Sequence, residues 1–162
     1  MNDFYHKSVL LQETIESLSI KKGHKYIDAT LGGGGHTQEI LDRGGVVLGI
    51  DLDEDALSHV KNKLGNANLT LAQGNFKNID EIAQANGFEK VSGVVMDLGV
   101  SSHQIDDQAR GFSYQKEGPL DMRMDRDQKV KACDLLNILG KDQLYEIFNK
   151  FGQEPNARII TN

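Results

Sequence analysis

The segment Asp28-Ala29-Thr30-Leu31-Gly32-Gly33-Gly34-Gly35-His36-Thr37 concentrates the residues that could do chemistry. Consecutive glycines let the backbone take positive φ and let a ligand approach the main chain without meeting a Cβ. Asp51 follows sixteen residues after Gly35, where an acidic side chain can take both hydroxyls of a ribose. Together they predict an adenosine-type ligand. A P-loop would need G-x-x-x-x-G-K-[ST], but His36 precedes Thr37 and Thr30 stands at the first glycine position. The dinucleotide fingerprint G-x-G-x-x-G ends on Thr37 when counted from Gly32 and on Gln38 when counted from Gly33. The missing third glycine lowers the NAD reading without eliminating it. Asp28, four residues before the glycines, would repel a pyrophosphate and suits a cation such as a sulfonium with its α-ammonium. S-adenosylmethionine fits these signs better than NAD. The plain alternative is a flexible turn with Asp51 solvated at a strand end.

Two further tips carry candidates. In Gly74-Asn75-Phe76, Asn75 could bond an adenine edge and Phe76 could stack on its face, or Phe76 could simply cap the core. In Asp97-Leu98-Gly99-Val100-Ser101-Ser102-His103-Gln104, Asp97 stands where cofactor and substrate should meet, unless it only caps a turn. The five histidines, His6, His24, His36, His59 and His103, show no metal spacing, and no metal site is assigned. Cys133 reads as a small buried side chain.

The elements that must position these residues follow from periodicity. Strands are expected at Tyr26–Ala29, Val46–Ile50, Leu69–Ala72 and Val91–Leu98, with helices beginning at Thr37 and covering Asp55–Leu64 and Ile79–Ala85. Short apolar strands, Val46–Ile50 free of charge, alternating with helices predict βαβ units and a parallel sheet, hence an α/β fold. A helix over Val9–Leu18 leads in. Residues 106–131 carry six acidic and six basic side chains and no clear period, and read as loop or lid. Helices are expected at Asp134–Leu139 and Asp142–Phe151, the second with Leu144, Ile147, Phe148 and Phe151 on one stripe. Residues 1–105 form the expected cofactor-binding domain and 106–162 the start of another. Four strands make an unfinished sheet, so the chain reads as a fragment, with self-association into a homodimer through the open edge as one consequence.

Composition narrows the class. The 162 residues include 18 Lys and Arg against 24 Asp and Glu, a net charge of −6 unlike that of a basic nucleic-acid-binding domain. One cysteine excludes a disulfide framework, and the apolar runs are too short to cross a bilayer. The expected location is cytoplasmic, with no membrane partner.

These segments, with Arg110-Gly111-Phe112-Ser113 and Gly118-Pro119-Leu120-Asp121-Met122-Arg123-Met124-Asp125, resemble the ribosomal RNA cytosine-N4-methyltransferase family (RsmH, also called MraW). The resemblance runs from His6-Lys7-Ser8-Val9-Leu10-Leu11 to about Arg158. It implies a Rossmann-like class I S-adenosylmethionine-dependent methyltransferase fold with a helical substrate-recognition domain inserted after the fourth strand. It also implies methyl transfer to the N4 amine of a cytidine in small-subunit ribosomal RNA, presented as RNA or as the assembled subunit. Cofactor contacts would fall on Gly34, Gly35, His36, Asp51, Phe76, Asp97 and Gln104. His103 departs from the family, which usually has proline before the glutamine. Family members also continue well beyond Asn162.

The N4 lone pair is delocalised into the ring, so transfer needs positioning and an acceptor for an N4 hydrogen. Many amino-methyltransferases use an Asn- or Asp-Pro-Pro-aromatic motif there, and only its carboxylate is matched by Asp97-Leu98-Gly99-Val100. Asp97 is therefore the candidate catalytic residue, orienting either the amine or the cofactor. Phe112 and Tyr114 could stack on a nucleotide, and Arg110, Arg123 and Arg126 could meet phosphates or serve in structural salt bridges. Two competing readings stay open: a nicotinamide-dependent oxidoreductase half-fold, and a catalytically inactive nucleoside-binding chain.

Overall fold

A computed structural model describes residues 8–65 and 67–162. His6 and Lys7 of the resemblance lie outside the described residues, as do the side chains of Ser102 and His103. The chain divides into two compact units between Asp106 and Asp107.

In the first unit α1 (Leu11–Leu18) precedes β1 (Lys25–Asp28), α2 (Gly35–Asp42), β2 (Val46–Asp51), α3 (Glu54–Leu64), β3 (Leu69–Gln73), α4 (Ile79–Ala85), β4 (Gly93–Val95) and α5 (Ser102–Asp106). The four strands form one parallel sheet in the order β3-β2-β1-β4. Chain direction across the sheet reverses at β1, which has β2 on one side and β4 on the other. In open α/β sheets that reversal opens a crevice beyond the carboxyl ends of the strands.

Alternation along the strands builds two apolar layers. Tyr26 and Val47 face Ile15 of α1 and Ile40 and Leu41 of α2. Ile27, Leu48 and Ile50 face Ala83 of α4 and Phe88. Each fully buried aliphatic side chain contributes about 1.5–3 kcal/mol. The Tyr26 hydroxyl, buried among them, accepts the Lys21 N–H at 2.9 Å and so leaves no orphan.

The fourth strand is shorter than the run Val91–Leu98 suggests. Only Gly93–Val95 join the ladder, and Met96 and Leu98 lie exposed after it. Apolar residues there mark a loop leaving the sheet. No helix among the described residues is long and apolar enough to cross a membrane.

The second unit is built around two arginines. A short 3₁₀ turn, Gln108–Arg110, places Arg110 so that its Nη2 donates to the carbonyls of Arg123 and Met124, both at 3.0 Å. Arg123 forks onto Asp121 through Nε at 2.7 Å and Nη2 at 2.8 Å, and its Nη1 reaches the carbonyls of Arg126 and Gln128. This fork holds the Asp121 carboxyl down at about 2. The Gly118–Asp125 string is thus a clasp closed on itself, and Arg110 and Arg123 serve it instead of presenting their guanidinium groups to phosphates.

Three helices follow, α6 (Ala132–Ile138), α7 (Lys141–Glu146) and α8 (Ala157–Ile160). Asp134 caps the first by accepting the Lys131 N–H at 2.8 Å. The expected helix over Asp142–Phe151 changes register at Ile147, where a π turn runs to Phe151. The wider turn rotates Phe151 off the Leu144 stripe and leaves it exposed.

Candidate functional site

Loop geometry after β1 follows from one small residue in β2. A Cβ at Gly49 would lie 2.7 Å from a Leu31 methyl, so the glycine leaves room for Leu31 to fold over the strand as it does. Leu31 is buried there and its N–H donates to the Ile50 carbonyl at 3.0 Å. The chain is thereby carried sideways from β1 onto the end of β2. There the Gly32 N–H meets Asp51 Oδ2 at 2.8 Å. The glycine turn and the acid, paired on spacing alone, face each other.

Asp51 Oδ1 accepts a second peptide N–H, that of Asp53, at 2.9 Å. Burial pushes the Asp51 carboxyl above its ordinary value, opposed by these two N–H groups. The Leu52 N–H acts on the same carboxylate; with about four lone-pair sites on its two oxygens, the group is oriented and still able to accept a hydroxyl.

The glycines divide by what they touch. Gly34 caps α2 at φ +74°, and a Cβ there would lie 2.8 Å from a Val60 methyl of α3. A Cβ on Gly35 would collide with the Ser8 hydroxyl. At Gly33 a Cβ would meet nothing within 4 Å. So Gly34 and Gly35 are small for the protein's own packing, while Gly33 faces open space.

Behind the turn lies Asp28, 1% exposed. It accepts the Thr37 hydroxyl at 2.7 Å and, at 3.4 Å, the Thr30 N–H. Burial raises its carboxyl above the ordinary value, and the Thr37 hydroxyl and the nearby His36 work against that rise. The expectation of an anionic group presented beside the loop is corrected: Asp28 lies beneath it and braces it through Thr37 and Thr30. His36 is 5% exposed, and its Nε2 has no hydrogen-bond partner among the described residues. An orphaned imidazole nitrogen in the first turn of α2 is what a site completed by a polar ligand would show.

The other candidates converge by backbone ties. Thr30 Oγ1 accepts the Asp97 N–H at 2.7 Å, which bridges the reversal point and brings Asp97 to the glycine turn. The Gly74 N–H donates to the Asp51 carbonyl at 2.9 Å, and Phe76 follows at 37% exposure. Asn75 Oδ1 accepts the Lys77 N–H at 3.0 Å and starts the turn Phe76–Asn78. Gln104, 7% exposed, accepts the Ser101 N–H at 3.0 Å and donates to Asp53 Oδ2 at 3.2 Å. Asp53 is the residue the sequence reading missed. Its signal was a helix-start pattern, an acidic side chain followed by Glu54 and Asp55.

With the geometry in place, similarity to known proteins can be weighed. The MraW methylase family matches residues 3–162. A protein of Clostridium botulinum (strain Loch Maree / Type A3) called ribosomal RNA small subunit methyltransferase H is 46% identical over 98% of this chain. A protein of the same name from Carboxydothermus hydrogenoformans is 47% identical, again over 98%. In both cases the chain spans about half, 52%, of the relative's length. A TehB-like SAM-dependent methyltransferase from Corynebacterium glutamicum overlays 43% of this chain and 37% of its own at 21% identity, with a TM-score of 0.37, too partial an overlap to argue from. The match over nearly every residue, on a sheet that joins the glycine turn to its acid, is decisive: the chain belongs to the MraW methylase family.

Proposed function

We propose that these residues form the cofactor half of an enzyme that transfers a methyl group from S-adenosylmethionine to the N4 amine of a cytidine in small-subunit ribosomal RNA. The observation that carries it is the bond from the Gly32 N–H to Asp51 Oδ2, which sets an oriented carboxylate beside a half-buried glycine backbone. Asp51 would accept the two ribose hydroxyls. Gly33 would lie against the nucleoside, Phe76 would cover a face of the adenine, and His36 Nε2 would find its missing partner in a polar group of the ligand.

S-adenosylmethionine, when bound, supplies an activated methyl on a sulfonium. The chain's own part is to orient and to hold a proton. Asp97, fixed through its N–H to Thr30, would accept a hydrogen from the exocyclic N4 and so favour the pyramidal amine that attacks in line. The relatives named as ribosomal RNA small subunit methyltransferases support the RNA substrate. The nicotinamide reading gains nothing from them.

Calorimetry of this chain with S-adenosylhomocysteine against NAD tests the cofactor assignment. Binding of the first and not the second is expected, with Asp51→Ala lowering affinity at least about a hundredfold, the worth of two charge-assisted bonds. NAD binding instead would overturn it. In the enzyme carrying the full length of its relatives, Asp97→Asn should lower the methylation rate about a hundredfold or more with cofactor affinity nearly kept. An unchanged rate would remove Asp97 from the reaction.

A further inference from the structure

The segment that leaves β4 does not follow its own strand. After Asp97 it runs through Leu98–Ser101 into α5, and Gln104 comes to rest against the turn between β2 and α3, fifty-one residues away in sequence. It therefore crosses the carboxyl ends of β1 and β2 as a strap. Three bonds define its landing point. Gln104 Nε2 donates to Asp53 Oδ2 at 3.2 Å, Asp53 Oδ1 accepts the Asp55 N–H at 3.1 Å, and the Asp53 N–H donates to Asp51 Oδ1 at 2.9 Å. Both side chains are almost fully buried, Asp53 at 6% and Gln104 at 7%. A buried amide on a buried carboxylate is a stronger tie than an exposed pair, because water does not compete for either group there.

We propose that Asp53 is a positioning residue of the cofactor site: acting through Gln104, it fastens the strap after β4 across the strand ends and, through its own N–H, fixes the rotamer of Asp51. The proposal rests on the methyltransferase reading and deepens it. It assigns the Gln104 amide to Asp53 first, with any ligand contact made by a side chain already held in place. Gln104 is oriented on its other side as well, since Oε1 accepts the Ser101 N–H and its own N–H donates to Ser101 Oγ at 3.2 Å. The far end of the strap is held independently by the Asp97 N–H on Thr30. One anchor at each end, one of them reaching Asp51, makes the strap part of the site's framework.

A reversal of the bond provides the test. Gln104→Glu sets two carboxylates against each other, and Asp53→Asn removes the charge that the amide donates to. Combining them exchanges donor and acceptor, while the Ser101 and Asp55 N–H groups keep an oxygen to bond. S-adenosylhomocysteine binding to the 162-residue chain is measured by calorimetry, and amide hydrogen exchange of residues 98–106 is measured without ligand. Gln104→Glu should weaken binding roughly tenfold or more and speed exchange across the strap, and Asp53→Asn should shift both the same way. The double variant should recover both to within about threefold, which a general loss of stability would not allow. A double variant as weak as Gln104→Glu, recovery of exchange without recovery of binding, or an Asp53→Asn variant identical to the parent would each overturn the proposal. A parent chain that binds no S-adenosylhomocysteine would overturn the methyltransferase reading, and with it the positioning role. The exchange data would still decide whether Asp53 anchors the strap.

Discussion

Asp28 pairs deep burial with a raised carboxyl pKa, a combination with opposite consequences for folding and for ligand binding. Because the folded-state value lies above the unfolded one, the ionised form is a cost to stability. That cost is absent below the ordinary carboxylate value of 3.8, grows as pH rises above it and is complete once pH passes the folded-state value. Asp28→Asn should therefore raise stability at pH 7, on the order of 1 kcal/mol once the weakened Thr30 bond is set against it, and the gain should shrink as pH falls toward 4. Thermal melts across that range check the sign, and a lower Tm at pH 7 would contradict it. The same variant reports the charge state in the bound complex: an ionised Asp28 should favour S-adenosylmethionine, which carries the sulfonium charge, over neutral-sulfur S-adenosylhomocysteine, whereas equal effects of Asp28→Asn on the two would mean that the carboxyl is held neutral. The sequence made this charge visible and misplaced it. Composition cannot tell a carboxylate beside a ligand from one sealed under the turn by Thr37.

Strands and helices were legible to different depths for a physical reason. The first three strands were found within a residue or two because the runs of β1 and β2 are buried in the sheet and that of β3, at its edge, is half-buried against it, and α4 matched from Ile79 to Ala85. The fourth was overextended because Val94, Met96 and Leu98 are apolar yet exposed. The π turn in the second unit was invisible because periodicity assumes one register throughout. Asp53 escaped notice since its partner lies fifty-one residues away, and no local pattern carries that contact. The exposed edge of β4 has a consequence of its own. Val95 offers its carbonyl to the Ala29 N–H, so the peptide groups of residue 94, which alternate with it, point away from β1. Among the described residues no strand pairs with that side of β4, and an edge with an exposed valine invites pairing with a second copy. Sedimentation should show self-association growing with concentration, and Val94→Pro should suppress it while leaving the ladder to β1 intact. Association undiminished by Val94→Pro would place the contact elsewhere.

At the scale of the whole molecule, the charge inventory bears on how an RNA would be met. Acidic residues outnumber basic ones 24 to 18. Several of the cations are also engaged within the protein. Arg123 forks onto Asp121, with Lys131 3.8 Å from the same carboxylate, and Arg126 lies 3.7 Å from Asp107. Arg43 and Lys150 lie close to Glu39 and Glu146 one helical turn away. Exposed pairs of this kind are individually weak, at most about 1 kcal/mol, yet each sets a carboxylate where a phosphate would have to come. Neutralising phosphates releases counterions and makes affinity fall steeply with salt, so the salt slope counts the phosphates engaged. For this chain with a fragment of small-subunit ribosomal RNA the slope should be shallow. Affinity should fall by about tenfold or less between roughly 50 and 200 mM salt, as expected for one or two phosphates. Tyr114, at 95% exposure, offers an aromatic face for stacking on an unpaired base, and that attraction is insensitive to salt. Tyr114→Ala should then weaken RNA binding equally at both salt concentrations. A thousandfold loss over the same salt range, or a Tyr114→Ala effect seen only at low salt, would mean that phosphate attraction dominates despite the net negative charge.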